Sequence, residues 1–561
     1  MAYFSLHAYD ADVWIRQFRG LNQSDVSLNP NPDFAAEEEN LETPDGVLQP
    51  QAAITQEVGS FTQQVKTLAS FHRRWYAGSG SKYWYVCCSG GKFYQRQADT
   101  QAGWIEIDLP ENVDNFASSE WSWVTYETNT DDGTVDVLLM SNKAEGMIMV
   151  VPPDRPSTWG DWSQQDWTYM KAMTWQRANT KQWHINRVTT AGKKFGVIER
   201  YGERIWGGDI ADNPDMLMYS APYDPTDWAA DPDTPEDGAG DILQPSWDGD
   251  QFYALKRFGD HLLAFKKNRV WEVIGLSPGE FQFQEQYGSG TEYFETIAVD
   301  NERLFMCSGD GLSVYDGMST TLFAPKYTEQ VWNAVNKSAL GKCCGALFKN
   351  RYYLAFPVEG STVNNVLLVY NLDENSILYY TDIYIEALMP TDEALFATTS
   401  TAPGKIFRIN YDSWLTGKAT GKPTRWVSPW IDFGYKTIVK GGFDLYFTPE
   451  VQDEPVTMTF KIQTEKKTKQ KNYTVYPLNI VNPNPELWEK LSTDSWGHVF
   501  DSFWGDIAGK TDVIVRQFKQ KRLHFSGAGR RFRIVFETGK GIEAPWRLIG
   551  GLHLVVETDP D

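Results

Sequence analysis

The chain has 561 residues, of which 41% are hydrophobic and 14% aromatic, with 23 Trp. That is enough apolar material for two to four packed domains, and it excludes global disorder. Seventy-four acidic residues against 52 basic ones leave a net charge of −22, which excludes a protein that grips nucleic acid through clustered Lys and Arg but not one past which a polyanion slides.

In chain order, residues 1–60 read as an extended N-terminal arm. Asn29-Pro30-Asn31-Pro32 and Pro44-Asp45-Gly46 are turn formers, Glu37-Glu38-Glu39 is expected to be a solvated charge run, and Val13-Trp14-Ile15 is a short apolar patch. The start, Met1 to Asp10, lacks a basic-then-apolar signal segment, and no run of 18 apolar residues occurs. The expectation is a chain made in a cytoplasm without a membrane span.

Residues 61–422 carry strands and turns. Six hairpins are predicted: Tyr83–Cys88 with Lys92–Tyr94, Val135–Met140 with Met147–Val151, Leu262–Phe265 with Arg269–Ile274, Leu304–Cys307 with Gly311–Tyr315, Tyr352–Phe356 with Val366–Tyr370, and Ala394–Ala397 with Lys405–Ile409. A short phrase also repeats. A Gly, Asn or Asp turn precedes a basic residue and then an apolar burst, at Arg204, His261, Arg303 and Arg351, roughly 40 to 60 residues apart. Strand-bearing units at that period predict a β-propeller of about five to seven blades. The long linkers 153–168, with Trp159, Trp162 and Trp167, and 224–241, rich in Asp and Pro, read as exposed loops.

Residues 423–561 change texture. Alternation in Val456–Ile462, Arg531–Phe536 and Leu548–Val556 predicts a C-terminal β-sandwich, interrupted near 483–510 by an insertion holding Trp488, Trp496 and Trp504. Lys466-Lys467-Thr468-Lys469-Gln470-Lys471 is the one basic island and reads as a solvated hairpin tip. The fold class is therefore all-β.

No catalytic, cofactor or metal site is predicted. The seven His show no ligand spacing, Gly505–Thr511 falls one residue short of a phosphate loop, and Gly275-Leu276-Ser277-Pro278-Gly279 precedes an alternating strand where a nucleophile elbow needs a helix. The acidic loop 224–241 lacks the register of a calcium loop. Cys87, Cys88, Cys307, Cys343 and Cys344 read as buried thiols, because adjacent Cys on a strand face opposite ways. The six loop tryptophans are the candidate partner contacts, since Trp is favoured at interfaces.

Two sets of phrases resemble tailed-bacteriophage β-propeller virion proteins, the tail nozzle and packaged-DNA stabilisation group. Phe18-Arg19-Gly20-Leu21-Asn22 with Ala36 to Leu48 is similar to the opening of those chains, and Ser220-Ala221-Pro222-Tyr223-Asp224-Pro225-Thr226-Asp227-Trp228 to a phrase between their blades. Trp430-Ile431-Asp432-Phe433-Gly434 and Arg530–Arg533 resemble their appended sandwich. The resemblance implies a structural, non-enzymatic virion protein of the tail or neck. Copies would form a ring or tube with portal, adaptor and other tail proteins, and genomic DNA would pass through without sequence-specific binding. The alternatives are a carbohydrate-binding or glycosidic receptor module of a tail and a propeller adaptor that binds peptides.

Overall fold

The structure is a computed structural model and describes residues 10–23, 31–54, 56–74, 81–98, 103–130, 133–151, 183–245, 249–322, 329–410, 412–432, 440–477 and 520–558. Among them, seven four-stranded antiparallel sheets follow one another along the chain. They span 65–106, 122–187, 195–243, 252–286, 298–322, 344–381 and 385–409, the last completed by Gln56–Ser60 as its outermost strand. The first strands of successive sheets lie side by side around a ring, except between blades 4 and 5, where the 3-10 turn Phe294–Thr296 meets the first strand of blade 4. A buried apolar cluster fills each gap between neighbours, and the final one joins Met389, Phe396 and Ile406 of blade 7 to Val65, Leu68 and Cys87 of blade 1. This is a closed seven-bladed β-propeller.

The six predicted hairpins are the second and third strands of blades 1, 2, 4, 5, 6 and 7. These strands have a neighbouring blade on each face and read as unbroken apolar runs; every residue of Gly146–Val151 is buried. Outermost strands leave little signal, since they are short and wet, as at the exposed pair Ile105–Glu106. Blade 3 carries no such unbroken run, for a local reason. Its second strand, Arg204–Ile210, contains Gly207, where a side chain would collide with the Phe195 ring, so the apolar run is broken where the packing is tightest.

The repeated phrase is the turn from first to second strand in blades 3 to 6. Lys349 and Asn350 have φ of 48° and 55°, the left-handed pair that a type I′ hairpin turn requires. The basic residue that follows ties its own blade together. Buried Arg204 donates to the carbonyls of Ser220 and Gly238, each at 2.7 Å, and to that of Glu236, with its guanidinium over the Tyr219 ring. His261 pairs with Glu272, and Arg303 with Asp300 at 3.1 Å. Arg204→Met is expected to leave these carbonyls without a donor and to cost about 3 kcal/mol. Urea unfolding measures this, and a loss below ~0.5 kcal/mol would contradict the role.

The paired cysteines confirm the strand geometry. Cys87 lies in the core between blades 7 and 1 and Cys88 in the core between blades 1 and 2; Cys343 and Cys344 divide likewise between the cores on either side of blade 6. All five thiols are buried and unbridged, and burial pushes that of Cys88 up to about 12.

The second body is a sandwich. One sheet runs Asp10–Ile15, Trp546–Thr558, Lys440–Val451, Lys521–Gly529; the other runs Glu37–Glu39, Thr424–Val427, Phe532–Thr538, Val456–Thr464, Thr468–Val475. Their inner faces share one core containing Trp426, Phe447, Phe460, Phe536 and Trp546. The basic island forms the turn and the start of the exposed edge strand Thr468–Val475, where lysines discourage pairing with a stray strand.

Residues 10–60 differ from a free arm. Asp10–Ile15 and Glu37–Glu39 are sandwich strands, and Gln56–Ser60 closes the propeller. Glu37-Glu38-Glu39 is not a solvated run, because strand alternation turns the middle carboxyl inward. Glu37 meets Arg425 and Arg533 at 2.9 and 3.0 Å, while Glu38 is 2% exposed.

Candidate functional site

The candidate contacts Trp159, Trp162, Trp167, Trp488, Trp496 and Trp504 all lie outside the described residues. The insertion near 483–510 and the stretch Gly505–Thr511 do so as well. Gly275–Gly279 is a turn between Val270–Ile274 and the strand Gln282–Gln286. In the acidic loop, residues 231–237 are exposed, but Trp228 is buried against Phe195, an anchor that the loop's polarity conceals. Among the described residues no group of three or more His, Cys, Asp or Glu stands at metal-binding spacing.

Two clusters of ionisable side chains that the sequence did not single out emerge from the tertiary structure. The first lies at the propeller hub. Lys66 of blade 1 pairs with Glu120, just before blade 2, at 2.5 Å. Gln64 donates to Glu386 on the first strand of blade 7. Blade 5 contributes only the two-residue inner strand Ala298–Val299, and the 3-10 turn Phe294–Thr296 occupies the space beside it. Glu295 on that turn lies close enough to Glu120 and Lys66, on the opposite side of the ring, to feel their charges. Burial is the main cause that pushes the Glu295 carboxyl up to about 8; Glu120 adds to it and Lys66 opposes it.

The second cluster joins the two bodies. Asn40, with φ of 57°, sits between Glu37–Glu39 and Leu41–Glu42. Its backbone N–H donates to Tyr379 O and its side-chain amide to Thr381 Oγ1 and Pro423 O, and its Oδ1 accepts from Thr381 N–H, all within 3.0 Å. It stitches the outer strand of blade 6 to the entry of the sandwich. Beside it, Glu42 is buried and accepts long hydrogen bonds from Ala52 N–H at 3.3 Å and Gln49 Nε2 at 3.4 Å. Burial pushes its carboxyl up to about 8, against the pull of Arg351. Neither Glu38 oxygen has a hydrogen-bond partner among the described residues, and burial raises that carboxyl well above its ordinary range. Lys422 donates to Thr381 O at 2.6 Å, and burial lowers its ammonium to about 8. The junction holds ionisable groups whose charged forms are disfavoured by exclusion of water.

A propeller with a sandwich interleaved through its amino-terminal segment is therefore the class that fold and site define. No known family profile matches the chain, and no curated protein matches it. Solved structures similar to it include the Pan2 WD40 domain of Neurospora crassa, at 10% identity with a TM-score of 0.30, covering 62% of this chain and 90% of that one. The AfRom2 CNH domain is similar at 10% identity with a TM-score of 0.36, covering 65% and 99%.

Proposed function

We propose that the protein is a structural component of a tailed-bacteriophage virion, placed in the tail or neck, where copies form a ring or tube that extends or seals the portal channel. Localisation in the virion and a non-enzymatic role belong to the same proposal. The observation that carries it is the interleaving of residues 10–60 through both bodies. Within that segment Leu21 and Asn40 hydrogen-bond to the outer strand of blade 6 while the flanking strands pair in the sandwich, which ties the two bodies together, and a wall under internal pressure needs that property. The sequence phrases that resemble phage propeller proteins supply the class. DNA would pass through the channel that the ring of copies encloses. A net charge of −22 disfavours adhesion of the polymer to such a wall. No helix among the described residues is long and apolar enough to cross a membrane.

The test is direct. Mass spectrometry and electron microscopy of purified particles are expected to find the chain at the portal end, and light scattering of the purified protein with portal protein to find a ring or a co-assembly. Absence from particles, together with a monomer at every concentration with and without portal protein, would refute the proposal.

A further inference from the structure

We propose that a cleft at the seam where the propeller closes, between the outermost strand of blade 7 and the outer strands of blade 1, binds a saccharide. The cleft has a volume of about 570 Å³ and is walled by Phe61, Tyr94 and Trp104, with Glu57 and Arg96 at its rim and the backbone of residues 58–60 beneath. That volume lies within the range of small-ligand sites.

The site is built. Phe61 packs 4.8 Å from Tyr94 and 5.7 Å from Trp104, centroid to centroid, and all three rings remain partly exposed. Val58 is the extra residue of a β-bulge in the closing strand, between Gly59, paired with Ile406, and Glu57, paired with Phe407. Its carbonyl accepts from Trp104 Nε1 at 3.0 Å and from the Arg96 guanidinium at 2.7 Å, which fixes both side chains. Gly59 makes the space, since a side chain there would collide with the indole. A void of about 40 Å³ lies behind Val58, Arg96 and Trp104 and gives the wall room to adjust.

The chemistry selects the ligand class. Exposed aromatic surface suits the C–H face of a pyranose, while its hydroxyls need acceptors and donors at the rim. Glu57 is held by Lys405 through one oxygen at 2.7 Å and offers a fixed acceptor, and the Arg96 side chain lines the cleft near it. An acyl chain would leave those polar groups unmatched. A phosphate would meet the Glu57 carboxylate in a strongly acidic protein.

This inference rests on the carbohydrate alternative and stands apart from the virion proposal, which is tested on particles; purified protein suffices here. The full chain is titrated with cellobiose, maltose, diacetylchitobiose and an O-antigen oligosaccharide, read by tryptophan fluorescence and saturation-transfer NMR. At least one is expected to bind saturably with Kd on the order of 0.1–10 mM. Glu57→Gln, at an exposed position, is expected to weaken it about fivefold without moving Tm, and Tyr94→Ala about tenfold. No saturable binding of any of the four up to ~20 mM, or binding unchanged in both variants, overturns the proposal.

Discussion

Deleting residues 1–60 is expected to leave neither body stably folded. The deletion removes the outermost strand of blade 7 and one strand from each sandwich sheet. It also strips Ile15, Phe18, Leu41 and Leu48 from the sandwich core and Leu21 from the core between blades 5 and 6. Each fully buried side chain of this size contributes roughly 1.5–3 kcal/mol, so five amount to about 10 kcal/mol, comparable to the whole stability of a typical domain. Loss of the closing strand also exposes the backbone edge of Lys405–Ile409, a template for aggregation. The truncated chain should elute as aggregate and be cleaved rapidly by trypsin. A monodisperse product melting within a few degrees of the full-length protein would show that the segment is an appendage after all.

Glu38→Gln is expected to stabilise the protein, by an amount that grows with pH. In the folded chain burial raises the carboxyls of Glu38 and Glu42, the latter from 4.5 to about 8. A raised folded value means that the native state holds a proton which the unfolded state releases. Stability from each group is complete below about 4.5 and is lost as pH climbs through the folded value, at about 1.4 kcal/mol per pH unit in between. For Glu42 the full loss is on the order of 5 kcal/mol. Glu38 has no hydrogen-bond partner to lose among the described residues, so the amide removes the titration at little cost. Urea midpoints of the wild type should fall from pH 5 to pH 8, and the Glu38→Gln variant should fall more slowly. Lys422 acts in the opposite sense above about 8, where its lowered folded value makes stability rise with pH, so the decline should flatten there. Parallel pH profiles for wild type and variant would show that Glu38 reaches water.

The two expectations concern the same segment, and they mark how much of this molecule could be read from its residues. Central blade strands were legible because a neighbour on each face demands unbroken apolar runs, as in Leu304–Ser308, and the repeated turn phrase was legible because left-handed residues such as Lys349-Asn350 punctuate it. Blade 3 was harder because Gly207 takes the place of an apolar residue in order to admit Phe195. The edge strand Glu37–Glu39 was illegible: three consecutive carboxylates look solvated until Arg425, Arg533 and a sheet face account for them. The aromatic cleft gave no sequence signal, since Phe61, Tyr94 and Trp104 come together only when the ends of the propeller meet.

By itself the sequence determined the all-β class, the propeller followed by a sandwich, and the burial of its thiols, because periodicity and side-chain alternation are local consequences of strand geometry. Only the tertiary structure decided the number of blades and the weaving of strands from Asp10–Ile15, Glu37–Glu39 and Gln56–Ser60 through both bodies. Those depend on which distant segments pair, and a strand edge carries no mark of its partner until the chain has closed on itself.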